Sequence, residues 1–98
     1  MDKRGYVYIM TNKPDGVMYT GVKSNLVKRV YEHRNSLVDG FTSKYNCKRL
    51  IYFEEHPTMS GAISREKAMK KWNRSWKLRL INATNPDWCD LWRAITSS

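Results

Sequence analysis

Apolar and polar positions alternate from Gly5 to Thr11, with Tyr6 and Tyr8 on one side and Val7 and Ile9 on the other. That two-residue period, rich in Tyr, Val and Ile, predicts a strand. Asn12-Lys13-Pro14-Asp15-Gly16 is turn chemistry, because proline presets φ and Asp-Gly favours positive φ. Residues 17–22 return as a second strand, so the first two elements form a hairpin. Gly21 closes that strand and lets its backbone pass near another group. The period then changes to that of a helix, which is capped by Ser24 or Asn25 and ends near Arg34. Leu26, Val30 and Val27 form its buried stripe.

Residues 36–47 contain Gly40, Ser43 and Asn46 and read as a loop with little regular structure. Residues 48–55 carry the run Leu50-Ile51-Tyr52-Phe53, which predicts a third strand and, from its continuous apolarity, the central one. His56-Pro57-Thr58 ends it. Ser60 is the expected cap of the next helix, which carries Ala62, Ile63, Glu66 and Met69. The four-residue spacing continues through Trp72, Trp76 and Leu80, with a break near Asn73-Arg74-Ser75. Asn85-Pro86 stops the run, and a last short helix covers 88–95. The order β-β-α-β-α-α, with that final helix appended, predicts a small α/β sandwich. It is built on a three-stranded antiparallel sheet, in one domain spanning 1–98.

Charge narrows the class of partner. Eighteen Lys and Arg against nine Asp and Glu give the 98 residues a net charge of +9. An excess of that size suits a polyanion, and nucleic acid is the commonest. Lys23, Lys28, Arg34, Lys44, Lys48, Arg49, Lys67, Lys70, Lys71, Arg74, Lys77 and Arg79 are candidate phosphate contacts. Trp72, Trp76, Trp88, Trp92 and Tyr45 are available for stacking, although the tryptophan spacing fits a buried stripe better. No apolar run is long enough to span a membrane. Cys47 and Cys89 are the only cysteines, and no apolar signal segment stands at the start. The expected setting is therefore a reducing cytoplasm.

The candidate chemistry is that of phosphodiester cleavage. Glu66 is the only carboxylate between Glu55 and Asp87 and sits among cations. It is either an i,i+4 partner of Lys70 or a single-carboxylate ligand for a hard divalent ion. Arg29 carries a guanidinium fork suited to a phosphate, though a solvated helix arginine is the plainer reading. Tyr8 and Tyr19 either pack across the strands or orient and deprotonate water, for which a phenol of pKa ~10 needs nearby cations. His33 follows Arg29 by four residues on the same helix face and is either solvated or a proton partner for one of the tyrosines. Two histidines and two separated cysteines form no zinc pattern, and no glycine-rich loop opens a helix to cradle phosphates or a small-molecule cofactor.

The ordered set makes the pattern specific. The chain resembles the GIY-YIG nuclease superfamily. Tyr6-Val7-Tyr8 stands where the family has Gly-Ile-Tyr, and Tyr19-Thr20-Gly21 where it has Tyr-Ile-Gly. Arg29, His33 and Glu66 then follow in the family's order. The stretches Phe53-Glu54-Glu55, Arg65-Glu66-Lys67, Lys70-Lys71-Trp72 and Asn85-Pro86-Asp87-Trp88 are similar to its small stand-alone bacterial branch. Two features depart from the pattern: Tyr6 replaces the first glycine, and Asn73, Asn82 and Asn85 compete for a family asparagine, with Asn85 favoured. The resemblance implies a metal-dependent DNA endonuclease with one Mg²⁺ or Mn²⁺ on Glu66. Tyr19, with Tyr8 and His33, would activate water, and Arg29 would stabilise the phosphate. Without a separate targeting domain, recognition falls to this domain or to a protein partner, and single-stranded or branched DNA is the expected preference. The competing reading is a nucleic-acid-binding module within a DNA repair or processing complex that cuts little or nothing.

Overall fold

A computed structural model describes residues 4–97. Strands β1 (Gly5–Thr11), β2 (Met18–Lys23) and β3 (Arg49–His56) form one antiparallel sheet in the order β2-β1-β3. Helix α1 (Leu26–Arg34) and the short α2 (Phe41–Lys44) lie between β2 and β3 in the chain. Helices α3 (Met59–Lys70), α4 (Arg74–Thr84) and α5 (Trp92–Thr96) follow β3. The alternation of β1 divides the core in two. Val7 and Ile9 pack with Ile51, Ala62, Met69, Ile81 and Trp88 on one face. Tyr8 and Met10 pack with Leu26, Val30, Cys47 and Leu50 on the other. Both faces of the sheet are thus covered by helices, the sandwich expected from the sequence.

The central strand is β1, not β3 as the apolar run suggested. Continuous apolarity reports burial on both faces and says little about which edge is free. Here the edge of β3 is closed by the chain after α4. Leu91 N donates to Leu50 O at 2.8 Å, Asp90 accepts from Leu50 N at 3.3 Å, and Asn85 Nδ2 donates to Ile51 O at 3.0 Å. An edge strand whose free carbonyls and amides are met in this way carries the same residues as a central one.

Local signals were displaced by small amounts. Thr58, not Ser60, caps α3, accepting from Gly61 N at 3.1 Å. Asn25 caps α1 through Lys28 N, and Asn73 caps α4 through Trp76 N. The final helix is shorter than expected because Asn85 holds the chain before it. The Asn85 amide bonds Cys89 N and O, and Trp88 is buried with φ of 54°, a left-handed conformation that a helix cannot contain. The segment 36–47 is not wholly irregular: Gly40, at φ 102°, admits the one-turn helix α2.

Candidate active site

The hairpin register brings Tyr8 opposite Gly21 and Met10 opposite Tyr19. A side chain at position 21 would collide with Tyr8, because a Cβ there would lie 2.4 Å from the phenolic oxygen and 2.5 Å from Cζ. Glycine is required for this close approach, and the space it leaves is filled by the Tyr8 ring. Tyr8 and Tyr19 have ring centroids 6.3 Å apart. His33, delivered by α1, lies 5.7 Å from each. Three aromatic rings from two strands and a helix therefore close on one another at the β2 side of the sheet.

A hydrogen-bonded chain runs through this cluster. Tyr8 Oη is 3.1 Å from His33 Nε2, and His33 Nδ1 is 3.1 Å from Thr42 Oγ1. Both His33 and Thr42 are buried. Burial first, and then the Arg29 charge, pull the His33 pKa down to about 4 against the opposing effect of Glu32. Burial pushes the Tyr8 phenol well above its ordinary range. The resting pair is thus a neutral phenol and a neutral imidazole. An O–H this deeply buried needs an acceptor, so Nε2 receives the Tyr8 proton bond and the ring's own hydrogen lies on Nδ1, facing Thr42. Thr42 carries no catalytic signature in the sequence. Its segment read as loop, and only the turn of α2 carries it to the imidazole.

Arg29 and Glu66 both act electrostatically on the Tyr8 phenol, the first lowering and the second raising its pKa. Arg29 Nε lies 3.4 Å from Glu32 Oε1 but makes no hydrogen bond, so a buried guanidinium N–H is left without a partner. Beside it, Lys23 and Lys28 line a cavity of about 200 Å³ with Ser24, Asn25, Arg29 and Glu32. Helix α3 packs on β1 and β2, and Lys70, one turn beyond Glu66, reaches to 6.0 Å from the Tyr19 ring. The Glu66 side chain is only 13% exposed and is paired with Lys70 at 3.2 Å. Among the described residues no group of three or more His, Cys, Asp or Glu could hold a metal. A single sheltered carboxylate fits a hard divalent ion that keeps most of its waters, in competition with the Lys70 ammonium.

Other expected residues are placed elsewhere. Asn85 is buried at the α4–α5 corner. Its amide is fully engaged by Ile51 O, Cys89 O and Cys89 N, at the β3 edge opposite β2. It braces a corner and is not gathered with the tyrosines, which revises the expectation of a catalytic asparagine there. Asn73 is occupied as a helix cap. Arg34 is paired with Asp90 and stacks 5.0 Å from the centre of Trp92, so it ties α1 to the chain around α5. Arg74 donates to Asp15 O and Gly16 O and pins the hairpin turn. These two arginines have structural partners, whereas Lys23, Lys28, Lys44, Lys48 and Lys71 are exposed. Trp88 is core, and Trp72 and Trp76 meet edge-on at 6.1 Å.

Comparison with known proteins places the chain in a family and matches its fold. The model of a family described as the GIY-YIG catalytic domain matches residues 4–79. A UPF0213 protein of Staphylococcus saprophyticus is 38% identical over 82 residues, covering 84% of this chain and 98% of that one. A UPF0213 protein of Clostridium perfringens is 40% identical over 78 residues, covering 80% and 83%. The solution NMR structure of the UPF0213 protein BH0048 from Bacillus halodurans has a TM-score of 0.56 at 23% identity, covering 97% of this chain and 98% of that one. It shares the fold.

Proposed function

The chain belongs to the GIY-YIG catalytic domain family, and on that premise we propose that it is a divalent-metal-dependent endonuclease hydrolysing DNA phosphodiester bonds. The observation that supports this reading is the packing of three rings, Tyr8, Tyr19 and His33, with Lys70, the ion-pair partner of Glu66, 6.0 Å from the Tyr19 ring. Arg29 and Glu66, from two different helices, both bear electrostatically on Tyr8.

Each residue has a role that its surroundings support. Arg29, with its unpartnered Nε, receives the scissile phosphate and meets the charge that develops on it. Tyr19 is the less buried phenol and orients the attacking water. Tyr8 stays protonated and, through His33, fixes the depth of the cluster. A proton move from Tyr8 to His33 is uphill in the buried pair, and an anionic phosphate alongside raises the phenol further. Glu66 holds one Mg²⁺ or Mn²⁺, which when bound supplies charge neutralisation at the phosphate and the leaving oxygen. Lys70, which pairs with Glu66 and lies 6.0 Å from the Tyr19 ring, would give up that pair to a metal ion and be available to a phosphate. Lys23, Lys28, Lys44, Lys48 and Lys71 supply exposed positive charge for the backbone. No described helix is long and apolar enough to cross a membrane. The free thiols of Cys47 and Cys89 support a cytoplasmic setting, and a DNA repair or processing complex is compatible with this reading and with the competing one.

The test is cleavage of labelled single-stranded, duplex and branched DNA with Mg²⁺, Mn²⁺ or EDTA, beside Tyr19→Phe, Arg29→Ala and Glu66→Ala. Metal-dependent cutting that each substitution abolishes is expected. Full activity of Glu66→Ala, or equal activity in EDTA, removes the single-metal proposal. Binding without cutting in every condition leaves the competing reading of a nucleic-acid-binding module.

A further inference from the structure

Beside Tyr19 lies an aromatic surface that the roles above leave unused. The Phe41 ring is 6.1 Å from Tyr19, with planes 28° apart, and Tyr45 is 4.6 Å from Phe41. Phe41 and Tyr45 are each 41% exposed. Cations border the row at both ends: Lys44 Nζ lies 5.4 Å from the Tyr45 ring centre and Lys70 Nζ 6.0 Å from that of Tyr19. At the Tyr19 end of the row is a shallow cavity of about 260 Å³, lined by Met18, Tyr19, Thr20, Phe41, Lys70 and Lys77. Thr20 is buried, and its hydroxyl has no hydrogen-bond partner. A sheltered hydroxyl without a partner carries a desolvation cost that a bound polar group would relieve.

We propose that the Tyr19–Phe41–Tyr45 row is a stacking site for an unpaired nucleobase of the DNA strand next to the scissile phosphate. The location of that phosphate rests on the nuclease reading, whereas base binding at the row does not require cleavage. Bases in a duplex hide their faces in their own stack, so only an unpaired base presents one to an aromatic platform. The lysines at the ends suit the phosphates on either side of that base. Thr20 offers a hydroxyl to the base edge. The cavity is below the usual ~300–1,000 Å³ of drug-sized ligand sites, which suits one ring system. An apolar peptide segment would fit the rings but offer no negative charge to Lys44 and Lys77, whereas Lys70 is already met by Glu66.

The experiment is fluorescence anisotropy of a labelled oligothymidylate in EDTA, where no turnover occurs, with single abasic positions walked along the strand. Phe41→Leu keeps apolar volume and removes the π-face; Tyr45→Leu does the same at the next ring. Each is expected to weaken binding by about 5- to 100-fold. One abasic position should weaken wild-type binding by a similar factor and have no effect on the Phe41→Leu protein. Tyr31→Ala removes an exposed aromatic two residues from His33, hence on the opposite face of α1, and should bind as wild type does. The abasic walk needs no substitution, so it reads the contact even where a variant folds poorly. Binding that ignores every abasic position, or an abasic penalty that persists in Phe41→Leu, overturns the stacking site. Binding as tight to blunt duplex as to the single strand overturns it as well. A protein that passes these tests and never cuts refutes the nuclease reading and leaves the stacking site intact.

Discussion

Replacing Thr42 by valine removes one buried hydroxyl and keeps most of the side-chain shape. In the native protein that hydroxyl lies 3.1 Å from His33 Nδ1, while Nε2 of the same ring meets Tyr8 Oη at 3.1 Å. Without it, a buried N–H loses its acceptor, a change that costs about 1–3 kcal/mol. A domain of this size shifts by ~4–8 °C per kcal/mol, so the melting temperature should fall by roughly 5–20 °C. The second consequence is specific to the site. An orphaned ring N–H is avoided if the proton moves to Nε2, and the bond to Tyr8 then reverses. The imidazole would donate to the phenol and could no longer accept from it. Cleavage measured where both proteins are folded should fall by about 10- to 100-fold, mainly in kcat. The assay is ¹⁵N–¹H correlation of the histidine ring, expected to show Nδ1–H in the wild type and Nε2–H in Thr42→Val. Thr42→Ser, which retains the hydroxyl, should restore both the wild-type signal and the rate. A Thr42→Val protein with native melting, or one with a native tautomer and a lowered rate, would refute the reasoning.

Three other outcomes follow from the geometry. Gly21→Ala places a Cβ against the Tyr8 ring, which is held on all sides, and should destabilise by about 1–3 kcal/mol in thermal or urea melts. His33 is neutral in the fold down to about pH 4 but titrates near 6.5 in the unfolded chain. Its contribution is therefore complete above pH ~6.5 and is lost as pH falls towards 4, because the unfolded state then binds the extra proton. The loss should approach about 2–3 kcal/mol in urea melts across that window, and His33→Gln should flatten the slope. Asn85→Ala removes three hydrogen bonds from the α4–α5 corner and should cost about 2–4 kcal/mol of stability. The cleavage rate per folded molecule should be retained, whereas a catalytic asparagine would lose rate without losing stability.

Much of this molecule is local in origin, and that part is legible in the chain. The alternation in β1 sorts Val7 and Ile9 from Tyr8 and Met10 into two cores, whatever the rest of the chain does. Turn chemistry at Pro14-Asp15-Gly16 sets the hairpin, and the hairpin register alone puts Tyr8 against Gly21. The i,i+4 spacing of Arg29 and His33 fixes them on one helix face. These are relations over a few residues or across one turn, which periodicity encodes directly.

What the sequence could not determine depends on partners distant in the chain. The run in β3 looks central because segment 85–91 closes its edge, and that segment has no pattern marking it as an edge cover. Asn85 stands in a stretch similar to the small bacterial branch, yet the fold engages its amide at the β3 edge. Arg34 and Arg74 are indistinguishable by composition from the exposed lysines, and only the packing of α1 against α5 and of α4 against the hairpin gives them carbonyl and carboxylate partners. Thr42, Phe41 and Tyr45 sit in a segment with too little periodicity to read as structured. A single turn after Gly40 points one of them at His33 and leaves the other two exposed beside Tyr19. The sequence by itself determined most of the elements and which polar groups are candidates for a site, because both follow from residue type and short-range spacing. The tertiary structure alone decided which polar side chains are braces and which are free to meet a ligand, because that depends on where buried donors and acceptors find partners.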